Sequence, residues 1–299
     1  MIPFLGAGAN LCGRPEKASW SKGRFLPKGS ELAKVLADEC GYPVPDDDSL
    51  LRVSQYVGAV LGEGALYEYL RDTFDADYPP TPLHEFLADL ARPLRAERPL
   101  LILTTNYDDA LERAFAERRE PFEVLWYEAK KSVDCGRFLH RVDGEVVVVD
   151  KPNEYLTPAL LENTVILKLH GAIDREDPKR DSYVITEDDY IDYLSRPDIS
   201  KQIPITLRQR MEESHYLFLG YSLRDWNLRV VLNRIWGEQT LDLKSWAVQR
   251  EDDKPGVSEI EQKLWQARGD VDVVYVPLDE YVERLKDELQ DKEPGAKAA

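Results

Sequence analysis

The chain has 299 residues, 43% of them hydrophobic, which is enough to bury a sizeable core as one large domain or a domain with an insertion. Its formal net charge is −17, and so acidic a surface repels phosphate backbones. The basic pairs Lys130-Lys131 and Lys179-Arg180 are too short to override that repulsion, so no direct nucleic-acid partner is expected.

In chain order, Met1 to Leu5 reads as a short apolar strand that runs into Gly6-Ala7-Gly8-Ala9-Asn10. A glycine pair at a strand end lets the backbone approach a pyrophosphate, with free N–H groups facing the anion. The usual dinucleotide fingerprint has a third glycine where this chain has Leu11, so a tight turn without a ligand is the competing reading. Apolar spacing then predicts four helices: one capped by Ser30 and running to Glu39, one spaced by Leu50, Val53, Val57 and Leu61, one by Leu66, Tyr69, Leu70 and Phe74, and one opened by Thr81-Pro82. Together, residues 30–95 read as a helical insertion, either a long crossover or a small subdomain covering one side of a crevice.

Pro99 to Leu103 is a continuous apolar run, as a parallel strand covered on both faces should be, and it stops at Thr104-Thr105-Asn106-Tyr107-Asp108. A helix from Asp109 to Arg118 and a strand from Glu123 to Tyr127 follow. Arg137 to Asp150 alternates around Asp143-Gly144, which favours a tight hairpin, and the surrounding segment 130–163 reads as an insertion serving as lid or interface. Thr164 to Leu169 is again a buried-strand run and stops at His170-Gly171.

A charged loop from Asp174 to Ser182, a short strand at Tyr183 to Ile185, and helices over Glu187 to Leu194 and Ser200 to Glu213 lead to a fourth apolar strand, His215 to Leu219. That strand stops at Gly220-Tyr221-Ser222-Leu223-Arg224-Asp225-Trp226-Asn227. Helix Asp225–Trp236, strand Trp246–Val248, helix Val257–Ala267 and strand Val271–Val276 come next. The last helix carries the stripe Leu278, Tyr281, Val282, Leu285 and Leu289, and residues 291–299 form a frayed tail. No stretch is apolar for long enough to cross a bilayer and no leader precedes the first strand, so a cytoplasmic protein with no membrane partner is expected. Cys12, Cys40 and Cys135 are isolated from one another, which rules out a four-thiolate zinc site; no metal is expected.

Alternating strands and helices of this kind predict a Rossmann-like, doubly wound parallel α/β sheet with an inserted, mainly helical subdomain. In such a sheet the ligand crevice lies outside the carboxyl ends of the strands, so the four polar clusters should converge there. The series GAGAN, TTNYD, LHG and LGYSLRDWN, closing on a Val-rich strand and a Leu-Asp-Glu-Tyr helix, resembles the sirtuin fold, and most of all the sirtuin-like NAD hydrolases of bacterial anti-phage defence. The resemblance covers residues 1–290, nearly the whole chain.

This resemblance implies a set of roles. Gly6, Ala7, Gly8 and Asn10, with Thr105, would lie on the pyrophosphate and nicotinamide side of NAD. Asn106 and His170 would be the residues on which cleavage depends, and Gly220, Tyr221 and Ser222 would lie near the adenosine half. Asp225 and Asn227 match positions typical of the defence branch. The implied substrate is NAD, without a metal. The implied partners are further copies of the chain or a separately encoded regulator, such as a translocase ATPase or a short Argonaute.

The residue types suit that chemistry. The nicotinamide leaving group is already cationic and needs no general acid; the site has to supply an oriented ribose, support for an oxocarbenium-like transition state and an activated oxygen nucleophile. A neutral imidazole at His170 can take a proton, the Asn106 carboxamide can hold a ribose hydroxyl and a water without adding charge, and Asp108 is close enough in sequence to orient one of them. Other readings stay open: Asn106 or Asp108 can cap the following helix, His170 can be a satisfied core histidine, and Asp225 can cap its own helix. Deacylating sirtuins carry a zinc module on paired cysteines, which this chain lacks, so hydrolysis of NAD is favoured over deacylation; a non-catalytic nucleotide-sensing module is the third reading.

Overall fold

A computed structural model describes residues 1–44, 47–196, 199–221, 232, 243–250 and 257–291. In chain order the strands are β1 (Ile2–Leu5), β2 (Leu101–Thr104), β3 (Phe122–Tyr127), β4 (Phe138–Val142), β5 (Glu145–Val148), β6 (Thr164–Lys168), β7 (Gly171–Ala172), β8 (Ser182–Tyr183), β9 (Tyr216–Leu219), β10 (Ser245–Gln249) and β11 (Val271–Tyr275). The main sheet has the order β11-β10-β9-β1-β2-β6-β3-β4-β5, parallel from β11 to β3 and antiparallel over the last two pairings. From β1 the chain builds outward through β2 and β3, with β6 returning between them. It then restarts on the other side of β1 with β9, β10 and β11, so the topological switch lies between β1 and β9.

The helices are α1 (Gly29–Cys40), α2 (Leu50–Val60), α3 (Glu63–Phe74), α4 (Pro82–Leu94), α5 (Ala110–Glu117), α6 (Pro158–Glu162), α7 (Glu187–Ser195), α8 (Ile205–Glu212), α9 (Val257–Gly269) and α10 (Leu278–Asp291). All residues of β1, β2 and β6 are buried, because helices cover both faces of the sheet. One face, with Phe4, Leu103, Leu125, Leu167 and Phe218, packs on α6, α7, α8 and α9. The other, with Leu5, Ile102, Ile166 and Leu219, packs on α4, α5 and α10.

A third core cluster joins α1, α2 and α3 to Tyr107, Ala110, Ile173, Tyr183 and Ile185, all of which lie at or beyond the carboxyl ends of strands. This layer therefore covers the end of the sheet where the polar motifs lie. The helical segment 30–95 is divided between two roles, since α4 belongs to the sheet flank and only α1–α3 form the cover.

Local chemistry explains several departures from the sequence expectations. The first helix starts at Gly29 rather than after Ser30, because Glu31 reaches back to the Lys28 N–H (3.1 Å) while also paired with Arg14 (2.6 Å). The stretch Ser200 to Glu213 is broken into a 3-10 turn (Ile199–Gln202) and α8, because Pro204 has no N–H to continue a helix. The hairpin at Asp143-Gly144 forms as expected, both residues having positive φ (51° and 84°). Its strands extend the main sheet, and α6 from the same segment packs on the sheet face. The predicted helix Asp225–Trp236, Leu232 apart, lies outside the described residues, as do Ser222, Asp225 and Asn227. Among the described residues no helix is long and apolar enough to cross a membrane.

Candidate active site

The glycine loop after β1 is a 3-10 turn, Ala7–Leu11, pressed against the loop after β9. Gly6 N–H donates to the Leu219 carbonyl (3.0 Å) and Gly8 N–H to the Gly220 carbonyl (2.8 Å). A Cβ on Gly8 would lie 2.6 Å from the Gly220 carbonyl oxygen, and one on Gly220 would lie 2.1 Å from the Ala9 nitrogen. The close approach that these glycines permit is thus made between the two loops. This corrects the expectation of free amides at Gly6 and Gly8, because both hydrogens are already held by carbonyls across the switch point.

Asn106 follows β2 by two residues. Its Nδ2 donates to the Gly6 carbonyl (3.1 Å) and more weakly to Asn10 Oδ1 (3.4 Å), and its N–H donates to Thr104 Oγ1 (3.0 Å). Asn10, buried, donates through Nδ2 to Asp108 Oδ2 (2.7 Å), while Asp108 Oδ1 accepts the Ala110 N–H (3.1 Å) at the start of α5. Asp108 thus serves the helix start through one carboxylate oxygen, as the capping reading has it, and holds Asn10 of the glycine loop through the other. Thr105 Oγ1 and Tyr221 OH are 2.7 Å apart, and the Tyr221 ring packs against Phe4 (5.0 Å between centroids). Gln249 donates to the Tyr221 carbonyl. Side-chain hydrogen bonds thus join three of the four predicted clusters.

His170 arrives from the neighbouring strand. Thr104 pairs with Lys168 across β2 and β6, so Asn106 and His170 each stand two residues past the same rung. No hydrogen bond among the described residues joins the imidazole to the Asn10–Asn106–Asp108 cluster. Its ring instead meets Tyr190 and Tyr193 of α7 edge-on (5.4 and 5.5 Å between centroids), with Nδ1 3.5 Å from Tyr190 OH. His170 is 4% exposed, and its Nε2 is buried without a hydrogen-bond partner among the described residues. Burial alone lowers its pKa to about 3, so the ring is neutral.

The sequence reading gave no part in the site to several residues around this cluster. Lys168, 1% exposed, sends Nζ to the Asp108 backbone carbonyl (2.5 Å) and to Glu112 Oε1 (2.5 Å). Burial raises the Glu112 pKa against the opposing pull of Lys168. A lysine inside an otherwise apolar strand was the visible signal. Glu128 stands two residues past Trp126, which pairs with Lys168, so it is level with His170 across β6. Burial raises its carboxyl to about 7 despite the Lys130 N–H donated to it (2.8 Å), and a lone glutamate after a strand carried no signal. His84 serves the N-terminus of α4, where its Nδ1 accepts the Thr81 N–H (3.2 Å), and Thr81 Oγ1 bonds the Ala9 carbonyl (3.2 Å). Burial lowers the His84 pKa to about 4; the Asp108 charge works to raise it and Lys168 to lower it. Among the described residues no group of three His, Cys, Asp or Glu side chains could hold a metal ion.

A doubly wound parallel sheet, with polar clusters gathered where its central strands end at the switch point, defines an α/β protein of the ligand-crevice type. The SIR2-like domain family matches residues 100–270, more than half of the chain, and the chain belongs to that family. Defense-associated sirtuin 2 of Bacillus subtilis is 29% identical over 234 residues, covering 78% of this chain and 19% of that protein. NAD(+) hydrolase ThsA of Acinetobacter baumannii (strain 532279) is 28% identical over 233 residues, covering 77% of this chain and 38% of that protein. The chain thus spans about a fifth to two fifths of the length of these curated relatives. A solved chain titled "The Structural basis of Sirtuin Substrate Affinity" covers 96% of this one at 13% identity with a TM-score of 0.38, too loose an overlay for residue correspondences.

Proposed function

We propose that this chain hydrolyses NAD at the nicotinamide–ribose bond, giving nicotinamide and ADP-ribose, as an NAD-depleting effector of anti-phage defence. The observation that carries this reading is the common rung: Asn106 and His170 leave adjacent central strands at the same level, beside the glycine loop at the switch point. Two relatives named for NAD hydrolysis or defence support it. Residues 1–290 act as one catalytic unit, with α1–α3 covering the crevice.

In this reading Gly6, Ala7, Gly8, Asn10 and Thr105 line the pyrophosphate and nicotinamide side. Gly220 and Tyr221 lie towards the adenosine, and Ser222, Asp225 and Asn227, outside the described residues, are assigned to NAD binding on the sequence resemblance alone. The C1′–N bond breaks and the electron pair leaves with nicotinamide. Water adds to C1′, and its proton passes to His170 and then to solvent. Asn106, fixed by Gly6 and Asn10, holds the ribose hydroxyls and the water, and Asp108 keeps Asn10 in place. With a pKa of about 3 the buried imidazole is too weak a base at neutral pH, so its edge must become accessible to water or ribose before it can act. Self-association or a separately encoded partner, of the translocase ATPase or short Argonaute type, supplies that opening; in the curated relatives the matched region is a minor share of a longer chain.

The experiment is incubation of the purified chain with NAD, with and without an acetyl-lysine peptide, together with Asn106→Ala and His170→Ala. Nicotinamide and ADP-ribose released without peptide, and lost by on the order of 100-fold or more in each variant, is the expected result. Release only with peptide would make the chain a deacylase. Tight NAD binding without turnover, unaffected in its biological output by either variant, would make it a sensor.

A further inference from the structure

The strand that delivers His170 also delivers Lys168, and this lysine's contacts lead towards Asn106. Lys168 Nζ binds the Asp108 backbone carbonyl, the Asp108 carboxylate binds Asn10 Nδ2, and Asn10 Oδ1 accepts from Asn106 Nδ2. The other anchor of Lys168 is Glu112, on the first turn of α5, the helix that begins two residues after Asp108. A buried ion pair is weak evidence for stability, because apolar residues of similar volume often serve as well or better. The rest of β6 is Thr-Val-Ile-Leu, fully buried, and a methionine at position 168 would pack there at lower desolvation cost. What an apolar side chain cannot do is reach across to the Asp108 carbonyl and donate to it.

We infer that Lys168 is a positioning residue, a strut from β6 that fixes the Asp108 backbone and, through Asp108 and Asn10, the orientation of the Asn106 carboxamide. The strut also sets the relation between the two arms of the site, since Lys168 stands two residues before His170 on the same strand. This inference rests on the proposed NAD chemistry for its kinetic readout, and a second readout is independent of that chemistry.

The test compares wild type with Lys168→Met and with the paired Lys168→Met/Glu112→Leu, which leaves no buried charge without its partner. Lys168→Met alone is expected to melt well below wild type. The paired variant is expected to recover most of that melting temperature, yet to release nicotinamide from NAD with kcat lowered by on the order of 100-fold and KM within about threefold. In an Asn106→Ala background the paired substitution is expected to cost little further activity, because the strut acts through Asn106. As a readout that needs no turnover, the side-chain amide resonances of Asn10 and Asn106 in ¹⁵N-asparagine-labelled protein are expected to shift and exchange faster in the paired variant. A paired variant with wild-type kcat and unchanged Asn10 and Asn106 resonances would overturn the inference and leave Lys168 a purely structural ion pair. Absence of turnover in wild type, with the amide changes still present, would overturn the proposed activity and leave the strut standing.

Discussion

His170 and His84 are buried neutral imidazoles, with pKa values lowered to about 3 and about 4. The unfolded chain binds a proton at each near pH 6.5 while the folded chain does not, so stability present above pH 6.5 is lost as the pH falls towards the folded values. Each histidine is expected to cost about 2 kcal/mol by pH 5, and His170→Asn should remove its share, seen by comparing urea melts at pH 7.5 and pH 5. Glu128 works in the opposite sense. Its carboxyl is raised to about 7, so the unfolded chain ionises first and stability is lost as the pH rises from about 4.5 through 7. Glu128→Gln, which can still accept from the Lys130 N–H, should therefore stabilise the protein at pH 7.5 by up to about 3 kcal/mol and by less than about 1 kcal/mol at pH 5. A variant no more stable than wild type at pH 7.5 would show that burial does not raise the Glu128 carboxyl as described. Asn106 and His170 were legible as candidates because each lies in a polar cluster just past a mostly apolar strand, and their roles were read from the family resemblance. Glu128 and Glu112 stayed unseen, because their significance comes from burial, which a single acidic letter does not reveal.

Among elements, the two glycine-bearing loops and the edge hairpin make a controlled comparison. Gly220 and Gly144 both have positive φ, 74° and 84°. A Cβ on Gly220 collides with the backbone of Ala9, whereas one on Gly144 meets nothing within 4 Å. Gly144→Ala is expected to cost about 1 kcal/mol, the conformational term alone. Gly220→Ala should cost at least about 3 kcal/mol and weaken NAD binding as well, because the loop after β1 must move away from the loop after β9. Chemical denaturation and calorimetry with NAD read the two effects separately. The doubly covered strands were the most legible elements, since continuous burial writes an unbroken apolar run. The fate of the segment 130–163 was not: its hairpin turn is local chemistry, but its attachment to β3 depends on a strand pairing that periodicity does not encode. The break before α8 was written in the sequence at Pro204, inside the stretch Ser200 to Glu213 that reads as one helix.

For the whole molecule, 56 acidic against 39 basic side chains set a field that opposes both compactness and the approach of a dinucleotide that is itself anionic. Raising salt from about 0.01 M to about 0.15 M shortens the screening length from about 30 Å to about 8 Å, so melting temperature should rise and the apparent KM for NAD should fall. A KM that rises steadily over that range would point to a local cationic funnel at the crevice mouth. Fold class was legible at this scale from the order of strands and helices alone. The packing of α1–α3 on Tyr107, Ile173 and Tyr183 was not legible, because it joins segments far apart in sequence.

The position of β1 bears on how the protein comes into being. Phe4 lies between Leu103 and Phe218, so this strand finds one neighbour only after about a hundred further residues and the other only after more than two hundred. Such distant pairings close slowly, and at roughly 5–20 residues per second a nascent chain spends at least several seconds with its central ribbon half-bordered. Since Gly8 can dock only once Gly220 has been made, a product interrupted before Gly220 would lack the switch-point junction altogether, and the loop after β1 would settle late in biogenesis.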